Sequence, residues 1–191
     1  MTKTSRDYFT GAATFDQMAT ASTEYGTLFK AQRERAAVPA DLLARVEALG
    51  GKWHLLAISE DWCIDSQSVV PVIAALADTA SNLELRCVAR DAEPELMDAH
   101  LTNGVSRSIP VVIALDAEYQ ERAWWGSRPA PLKERVAAEW KQLEKPERNK
   151  EIRRWYAMDK GRTTIEEIVT MLERVAAAEA AGQPANATAG A

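Results

Sequence analysis

The chain has 191 residues, of which 47% are hydrophobic and 27% charged, and its formal net charge is −5. This composition is typical of a globular protein with one well-buried core, and the acidic balance disfavours nonspecific binding to nucleic acid or to an anionic membrane. No apolar stretch reaches membrane-spanning length, and no signal-peptide core follows the N-terminus. We therefore predict a cytoplasmic protein without a structural disulfide.

Residues 1–51 are predicted to form a helical N-terminal extension. Thr14 and Gln17 match a capping box at the start of one helix, and apolar residues recur after them at helical spacing. A further helix is predicted to begin near Pro39 and to end at Gly50-Gly51.

Strand-like and helix-like segments alternate between residues 52 and 144. In chain order we predict a buried strand, a helix, a second strand, a short helix, an antiparallel hairpin of two strands and a last helix, at 53–59, 63–79, 83–89, 94–101, 110–115, 121–125 and 129–140. The strand–helix–strand order predicts parallel pairing. The fold class is therefore α/β, with a small mixed sheet between helices in a single domain.

Two C-terminal helices are predicted within residues 145–181, at 148–158 and 163–178. A second capping-box pattern, from Thr163 to Glu166, predicts the start of the last helix. Residues 182–191 are small and polar and are expected to be a disordered tail.

Cys63 is the most informative residue, because it follows a predicted strand and opens a predicted helix. Unpaired backbone N–H groups and the helix dipole stabilise a thiolate there. The spacing is that of a C-x-x-C motif, but Ser66 replaces the second cysteine. A lone thiol attacks a disulfide yet cannot release itself by closing an internal one. The competing interpretation of Cys63 is an inert buried cysteine.

Cys87 is the other cysteine and is predicted to be a small buried core residue. It lies in the middle of a predicted strand, whereas Cys63 lies beyond the strand ends. A disulfide requires Cα atoms within about 7 Å. Cys87 is therefore not expected to resolve a mixed disulfide on Cys63.

Several short blocks together resemble the thioredoxin superfamily and, more narrowly, a bacterial thioredoxin-like subfamily that commonly carries W-C-x-D-S. They are Glu60-Asp61-Trp62-Cys63, Asp65-Ser66, Arg90-Asp91, Thr102-Asn103-Gly104, Ser106-Arg107-Ser108-Ile109-Pro110 and Trp125-Gly126-Ser127-Arg128-Pro129. The resemblance implies that Cys63 is the nucleophile, that Ser66 stands in the resolving position and donates a hydrogen bond to the thiolate, and that Pro110 is the cis-proline. It also implies that Ile109 and Pro110 lie against the sulfur and a bound substrate.

Charged side chains around Cys63 act in opposite directions. Arg90, Arg107 and Arg128 are predicted at one edge of the sheet, where they would bind the carboxylates of a peptide-like thiol. The alternative is that these arginines are solvated or pair locally with Asp91, Asp61 or Asp65. The carboxylates of Glu60, Asp61 and Asp65 oppose a thiolate, although Asp65 also suits the first turn of a helix.

Aromatic residues near the motif have two competing interpretations. Trp62 and Trp125 are expected either to wall the site or to belong to the core, and Trp124, Trp140 and Trp155 are expected to pack between helices and sheet. His54 and His100 are expected at a strand edge and at the surface, and no metal site is predicted.

The leading hypothesis is a monothiol thiol–disulfide exchange protein that acts on a disulfide-bearing protein or on a mixed disulfide with a small thiol. It needs no bound cofactor, but an external low-molecular-weight thiol, or a partner protein, must complete the cycle. A redox-weak binding or adaptor module and a thiol-modification sensor are the alternatives. The sequence leaves the oligomeric state open.

Overall fold

The computed structural model describes residues 2–181, so the tail predicted for 182–191 lies outside the described residues. The chain begins with four helices, α1 (Ser5–Gly11), α2 (Phe15–Ala21), α3 (Gly26–Arg35) and α4 (Ala40–Glu47). The capping box predicted at Thr14 is confirmed. α1 was not predicted, because its capping box pairs Thr4 with an aspartate, Asp7, instead of glutamate or glutamine.

The sheet has four strands, β1 (Trp53–Ser59), β2 (Leu83–Ala89), β3 (Val111–Leu115) and β4 (Glu121–Gly126), in the order β2-β1-β3-β4. β1 and β2 are parallel, and the β3–β4 hairpin is antiparallel, as predicted. The expected fold class, a mixed α/β sheet flanked by helices, is confirmed.

One prediction about strand pairing is wrong. The second strand–helix–strand unit gives no parallel pair, because β3 pairs antiparallel with β1 on the side away from β2. The connecting helix, α6 (Pro94–Asp98), has five residues. A helix of that length spans only about 7 Å, whereas a strand as long as β2 extends over about 23 Å. The start of β3 therefore lies beside the end of β1, where Val111 pairs with Ile58.

Alternating side chains of the sheet form two cores. One core contains Leu55 and Ala57 of β1 and packs against α2, α3, α4 and the long helices α5 (Ile64–Thr79) and α9 (Arg162–Ala180). The other contains Leu56 and Ile58 and packs against α1 and α6. Trp124 is buried in the second core, and Trp140 and Trp155 are partly buried against the first. The alternation places α5, which carries the motif, on one face of the sheet.

The helices after the hairpin are α7 (Ala130–Arg135), a single π-helical turn (Val136–Trp140), α8 (Lys145–Asp159) and α9. The capping box predicted at Thr163 is wrong, because α9 starts one residue earlier and its N-cap is Gly161. The backbone N–H and the hydroxyl of Thr163 donate to the carboxylate of Asp159 instead. No helix in residues 2–181 combines the length and apolar character that crossing a membrane requires.

Both histidines are buried, so the expected exposed positions are wrong. β1 is a central strand, and the ring of His54 stacks on Tyr119 with 4.3 Å between centroids. His100 Nδ1 lies 2.7 Å from the carbonyl oxygen of Leu96, and its Nε2 lies 2.9 Å from Glu121 Oε1. His100 therefore joins the end of α6 to β4, a contact that the helix predicted at 94–101 does not indicate.

Candidate active site

Cys63 is the N-cap of α5, the residue just before the first helical one. Its backbone N–H donates to the carbonyl oxygen of Glu60 at 3.2 Å, and its own carbonyl oxygen accepts from the N–H of Gln67 at 2.9 Å. The side-chain amide of Gln67 donates to the carbonyl oxygen of Asp61 at 2.8 Å. These hydrogen bonds hold the loop between β1 and α5 in one conformation, with the Cys63 side chain half-buried.

The sulfur of Cys63 faces the segment that precedes β3. Cys63 Sγ donates to the carbonyl oxygen of Ile109 with 3.5 Å between the two atoms. Ile109 and Pro110 are buried, and the peptide bond between them is cis. Antiparallel pairing of β3 with β1 produces this juxtaposition, because it places the beginning of β3 at the end of β1. The structure thus brings Cys63, Ile109 and Pro110 together.

Ser66 lies in the first turn of α5 and is completely buried. Its hydroxyl has no hydrogen-bond partner among the described residues, so the hydrogen bond expected from Ser66 to Cys63 is not formed. The sulfur is hydrogen-bonded to Ile109, which lies across the sheet edge and not along the helix.

Asp65 is also buried in the first turn of α5, and its side chain is bound by two residues from distant parts of the chain. Its Oδ1 accepts from Arg128 Nε at 2.8 Å and from Tyr156 Oη at 2.9 Å, and its Oδ2 accepts from Arg128 Nη2 at 2.7 Å. We call Asp65, Arg128 and Tyr156 the Asp65 triad. A buried carboxylate requires such partners to remain charged.

Tyr156 and Arg128, the two partners of Asp65, both have raised pKa values and stay protonated at neutral pH. Burial raises the pKa of Tyr156 well above its usual range, and the charge of Asp65 raises it further. Burial lowers the pKa of Arg128, but the hydrogen bonds with Asp65 and nearby charges, chiefly that of Asp65, together outweigh this effect, so the pKa is raised overall. The Asp65 triad is therefore a charge-balanced cluster of one carboxylate, one guanidinium and one neutral phenol.

Each of the three predicted binding arginines is paired with a carboxylate. Arg128 pairs with Asp65, Arg90 Nε donates to Asp91 Oδ1 at 2.8 Å, and Arg107 donates to both oxygens of Asp98 at 2.7 and 2.5 Å. Arg90 and Arg128 thus have partners named in the pairing alternative, whereas the partner of Arg107, Asp98, was not among those predicted. The Arg90 and Arg107 pairs are exposed, whereas the carboxylate of the Arg128 pair is buried.

The two tryptophans predicted to wall the site have different environments. Trp62 has 52% of its surface exposed, and the Arg90 guanidinium lies 5.1 Å from the centre of its ring. Trp125 is buried in the first core, where its Nε1 donates to Glu167 Oε2 at 2.7 Å. Trp125 therefore packs in the core, because its position in β4 points to that face, and Trp62 is the exposed aromatic residue beside Cys63.

The structure confirms that Cys87 is a small buried core residue. Burial raises the pKa of its thiol to about 12, so the thiol stays protonated at neutral pH. Its backbone pairs with Ala13 through two hydrogen bonds, of 2.8 and 3.0 Å. Both Cys63 and Cys87 are free thiols.

Tyr156 is the site residue that the sequence analysis missed. It lies in α8, outside the predicted core of residues 52–144, so nothing connected it with Cys63. One signal was present, because Ile152 and Tyr156 are four residues apart and share a helix face. A tyrosine on a buried face usually has a hydrogen-bond partner.

No group of three or more His, Cys, Asp or Glu side chains within residues 2–181 is placed to hold a metal ion.

Comparison with known proteins identifies the fold independently. The sequence model of a family described as thioredoxin matches residues 12–141. A Pseudomonas aeruginosa protein described as having unknown function is 16% identical, with a TM-score of 0.73 over 91% of this chain and 99% of that one. A structure described as an HIV epitope-scaffold is 17% identical, with a TM-score of 0.67 over 88% of this chain and 97% of that one. No curated protein matches the chain. At these identities the structural similarities show the fold alone.

Proposed function

Because the chain belongs to the thioredoxin family, we propose that Cys63 is the nucleophile of a monothiol thiol–disulfide exchange protein. The observation that carries the proposal is the position of the Cys63 thiol. It is a half-buried free thiol at the start of α5, 3.5 Å from the carbonyl oxygen that precedes Pro110. The hydrogen bonds of the β1–α5 loop hold the thiol there. The alternation of side chains along β1, which places α5 on one face of the sheet, also contributes to this position.

The reaction needs two exchange steps. In the first, the Cys63 thiolate attacks one sulfur of a disulfide, a new S–S bond forms to Cys63, and the other sulfur leaves as a thiolate that takes a proton from water. In the second, the thiolate of an external low-molecular-weight thiol, or of a partner protein, attacks the sulfur bound to Cys63. A new S–S bond forms to that sulfur, the bond to Cys63 breaks, and Cys63 leaves as a thiolate. Ser66 has no thiol for that second step, and burial keeps the Cys87 thiol protonated.

The surroundings of the sulfur suggest how a substrate would bind. Trp62, next to Cys63 in the chain, offers an exposed aromatic face, and the carbonyl oxygen of Ile109 contacts the sulfur. The exposed pairs of Arg90 and Arg107 allow a substrate carboxylate to replace Asp91 or Asp98. Arg128 is paired with the buried Asp65, so it would contribute positive charge near the substrate without binding the substrate carboxylate directly.

We extend the proposal to the narrower subfamily with the W-C-x-D-S motif, which is bacterial. The pairing of Asp65 with Arg128 supports this assignment, because it joins two of the resembling blocks two residues from Cys63. The free state of both cysteines is consistent with a reducing, cytoplasmic compartment.

A redox-weak adaptor or sensor is the second candidate, and one observation favours it. The described hydrogen-bond partner of Cys63 Sγ is a carbonyl oxygen, which accepts a hydrogen bond from a thiol but has none to donate to a thiolate. Glu60 and Asp61 precede Trp62 and add negative charge near the thiol. In this case Cys63 would be modified or would bind a partner without turnover.

The experiment that tests exchange uses the full chain and a peptide–glutathione mixed disulfide as probe, with excess reduced glutathione. We expect Cys63→Ser to abolish release of the peptide thiol and Cys87→Ser to retain at least about half of the rate, because only the first thiol is accessible. Equal loss in both variants contradicts a monothiol mechanism. No rate above the uncatalysed reaction in the unmodified protein, with Cys63 still open to alkylation, favours the adaptor or sensor.

A further inference from the structure

We propose that Tyr156 is a positioning residue of the Cys63 site, acting through Asp65 from a helix that lies beyond the family-matched residues 12–141. The inference rests on the proposed function, in which the Cys63 thiolate is the reacting species. It assigns a task to α8, which contributes Tyr156 to the Asp65 triad.

The first step concerns charge next to the thiol. Asp65 follows Cys63 by two residues, at the start of the same helix, and an uncompensated carboxylate there disfavours a thiolate by like-charge repulsion. Three hydrogen bonds, two from Arg128 and one from Tyr156, compensate that charge. Each lost donor therefore leaves more of the Asp65 charge directed at Cys63.

The second step concerns the hydroxyl of Tyr156. Packing of α8 against the core requires only an apolar ring at this position, and phenylalanine has the same ring. The hydroxyl has one hydrogen-bond partner among the described residues, Asp65 Oδ1. Since burial and the charge of Asp65 both hold the phenol protonated, it donates throughout the physiological pH range. The hydroxyl thus serves the carboxylate beside Cys63.

Other charged groups also lie near the sulfur of Cys63. Glu60 and Asp61 come from the β1–α5 loop, and Arg90 reaches that loop through the ring of Trp62. A second set of charged or titratable groups is the Asp65 triad, from α5, from the segment after β4 and from α8, and Arg128 and Tyr156 both interact electrostatically with Cys63. A change at Tyr156 alters only the last set.

The test is the rate at which iodoacetamide alkylates Cys63 as a function of pH, measured on full-length protein in a Cys87→Ser background. We expect Tyr156→Phe to slow alkylation at pH 7 about two- to fivefold and to move the pH of half-maximal rate upward by a few tenths of a unit. The limiting rate at high pH should not change. An unchanged pH profile in Tyr156→Phe overturns the proposal.

A matched control separates positioning from stability. Ile152→Val removes one buried methyl group from the same face of α8 and leaves the hydroxyl in place. We expect it to lower the urea midpoint without moving the alkylation profile. If Ile152→Val shifts the profile as far as Tyr156→Phe does, the effect is structural and the proposal is wrong.

A double-mutant cycle tests the route through Asp65. Asp65→Asn keeps the shape of the side chain but removes its charge, so we expect faster alkylation at pH 7 than in the unmodified protein. In that background Tyr156→Phe should have little further effect. An equal slowing in both backgrounds contradicts action through Asp65.

These measurements are independent of the proposed function, because alkylation requires no disulfide substrate. A shifted alkylation profile in a protein that shows no exchange refutes the exchange activity and leaves the role of Tyr156 intact. Normal exchange with an unchanged profile in Tyr156→Phe refutes the role of Tyr156 alone.

Discussion

The sulfur of Cys63 and the carbonyl oxygen of Ile109 are 3.5 Å apart, although 46 positions separate the two residues in the chain. The contact exists because β3 runs antiparallel to β1, so that its first residue lies where β1 ends. A substrate backbone N–H that binds this carbonyl oxygen competes with the thiol for the same acceptor. Substrate binding and release of the thiol proton are thereby linked in the proposed reaction.

Restoring a second thiol should change the mechanism. We expect Ser66→Cys to form an internal disulfide with Cys63 on mild oxidation, because Ser66 is buried one helical turn beyond it. Intact-mass analysis should show the loss of two hydrogens, and reduction of insulin should become measurable. The same variant made with Cys63→Ser should show neither property, and a mass loss there would mean that Cys87 is the partner.

Breaking the Asp65 triad should cost more stability than breaking an exposed pair. Asp65→Ala leaves the guanidinium of Arg128 without its partner, and we expect a loss of about 2–4 kcal/mol in the free energy of unfolding, since Arg128 keeps some contact with water. Arg107→Ala, which breaks the exposed pair with Asp98, should cost less than about 1 kcal/mol. Urea unfolding measures both, and equal losses would contradict the difference in burial.

The free energy of unfolding should depend on pH, in part because of His100. Burial alone would lower the pKa of His100, but the hydrogen bond and charge of Glu121 raise it above the ordinary value. The contribution of His100 to the free energy of unfolding is therefore fully present below its pKa in the unfolded chain, about 6.5. This contribution is lost as the pH rises through its pKa in the folded protein. We expect His100→Gln to reduce the urea midpoint more at pH 5.5 than at pH 8.5.

His54 provides the opposite case. Burial lowers the pKa of His54 despite the nearby charge of Glu84, so the folded protein holds the ring neutral. Its contribution is present above the unfolded pKa and is lost as the pH falls toward the folded value. The free energy of unfolding of His54→Gln should therefore fall less at low pH than that of the unmodified protein. If His54→Gln and His100→Gln change the pH dependence of stability in the same direction, the two environments are contradicted.

Gly161 should not tolerate a side chain. Its φ of +81° suits glycine, and a Cβ atom there would lie 2.6 Å from side-chain carbons of Val72. We expect Gly161→Ala to cost about 2 kcal/mol or more. Gly50 also has a positive φ, of +68°, but has open space around it, so Gly50→Ala should cost only about 1 kcal/mol. The difference in thermal midpoint between these variants isolates the steric clash.

Local patterns in the sequence predict much of the fold, and long-range contacts account for what they miss. The bounds of β1 and β2 follow from a continuous apolar run and from apolar alternation, and the helix after Cys63 follows from its periodicity. The direction of β3 relative to β1 does not follow from any local pattern. It depends on the path of the roughly 20 residues that connect β2 to β3.

The same limit applies to the site. The position of Cys63 is predictable, because a strand end and a helix start flank it in sequence. The pairing of Arg128 and Tyr156 with Asp65 spans 63 and 91 positions, and no local periodicity encodes such contacts. Burial of His100 likewise depends on a carboxylate in β4 that approaches only in the folded chain.

The two hydrogen bonds between Ala13 and Cys87 have a consequence for self-association. β2 is one of the two outer strands of the sheet, and a free outer strand offers its backbone groups to the sheet of another molecule. Ala13, between α1 and α2, occupies the donor and acceptor of Cys87 near the middle of that strand. Ala13 thus makes this part of β2 inaccessible to the outer strand of another molecule.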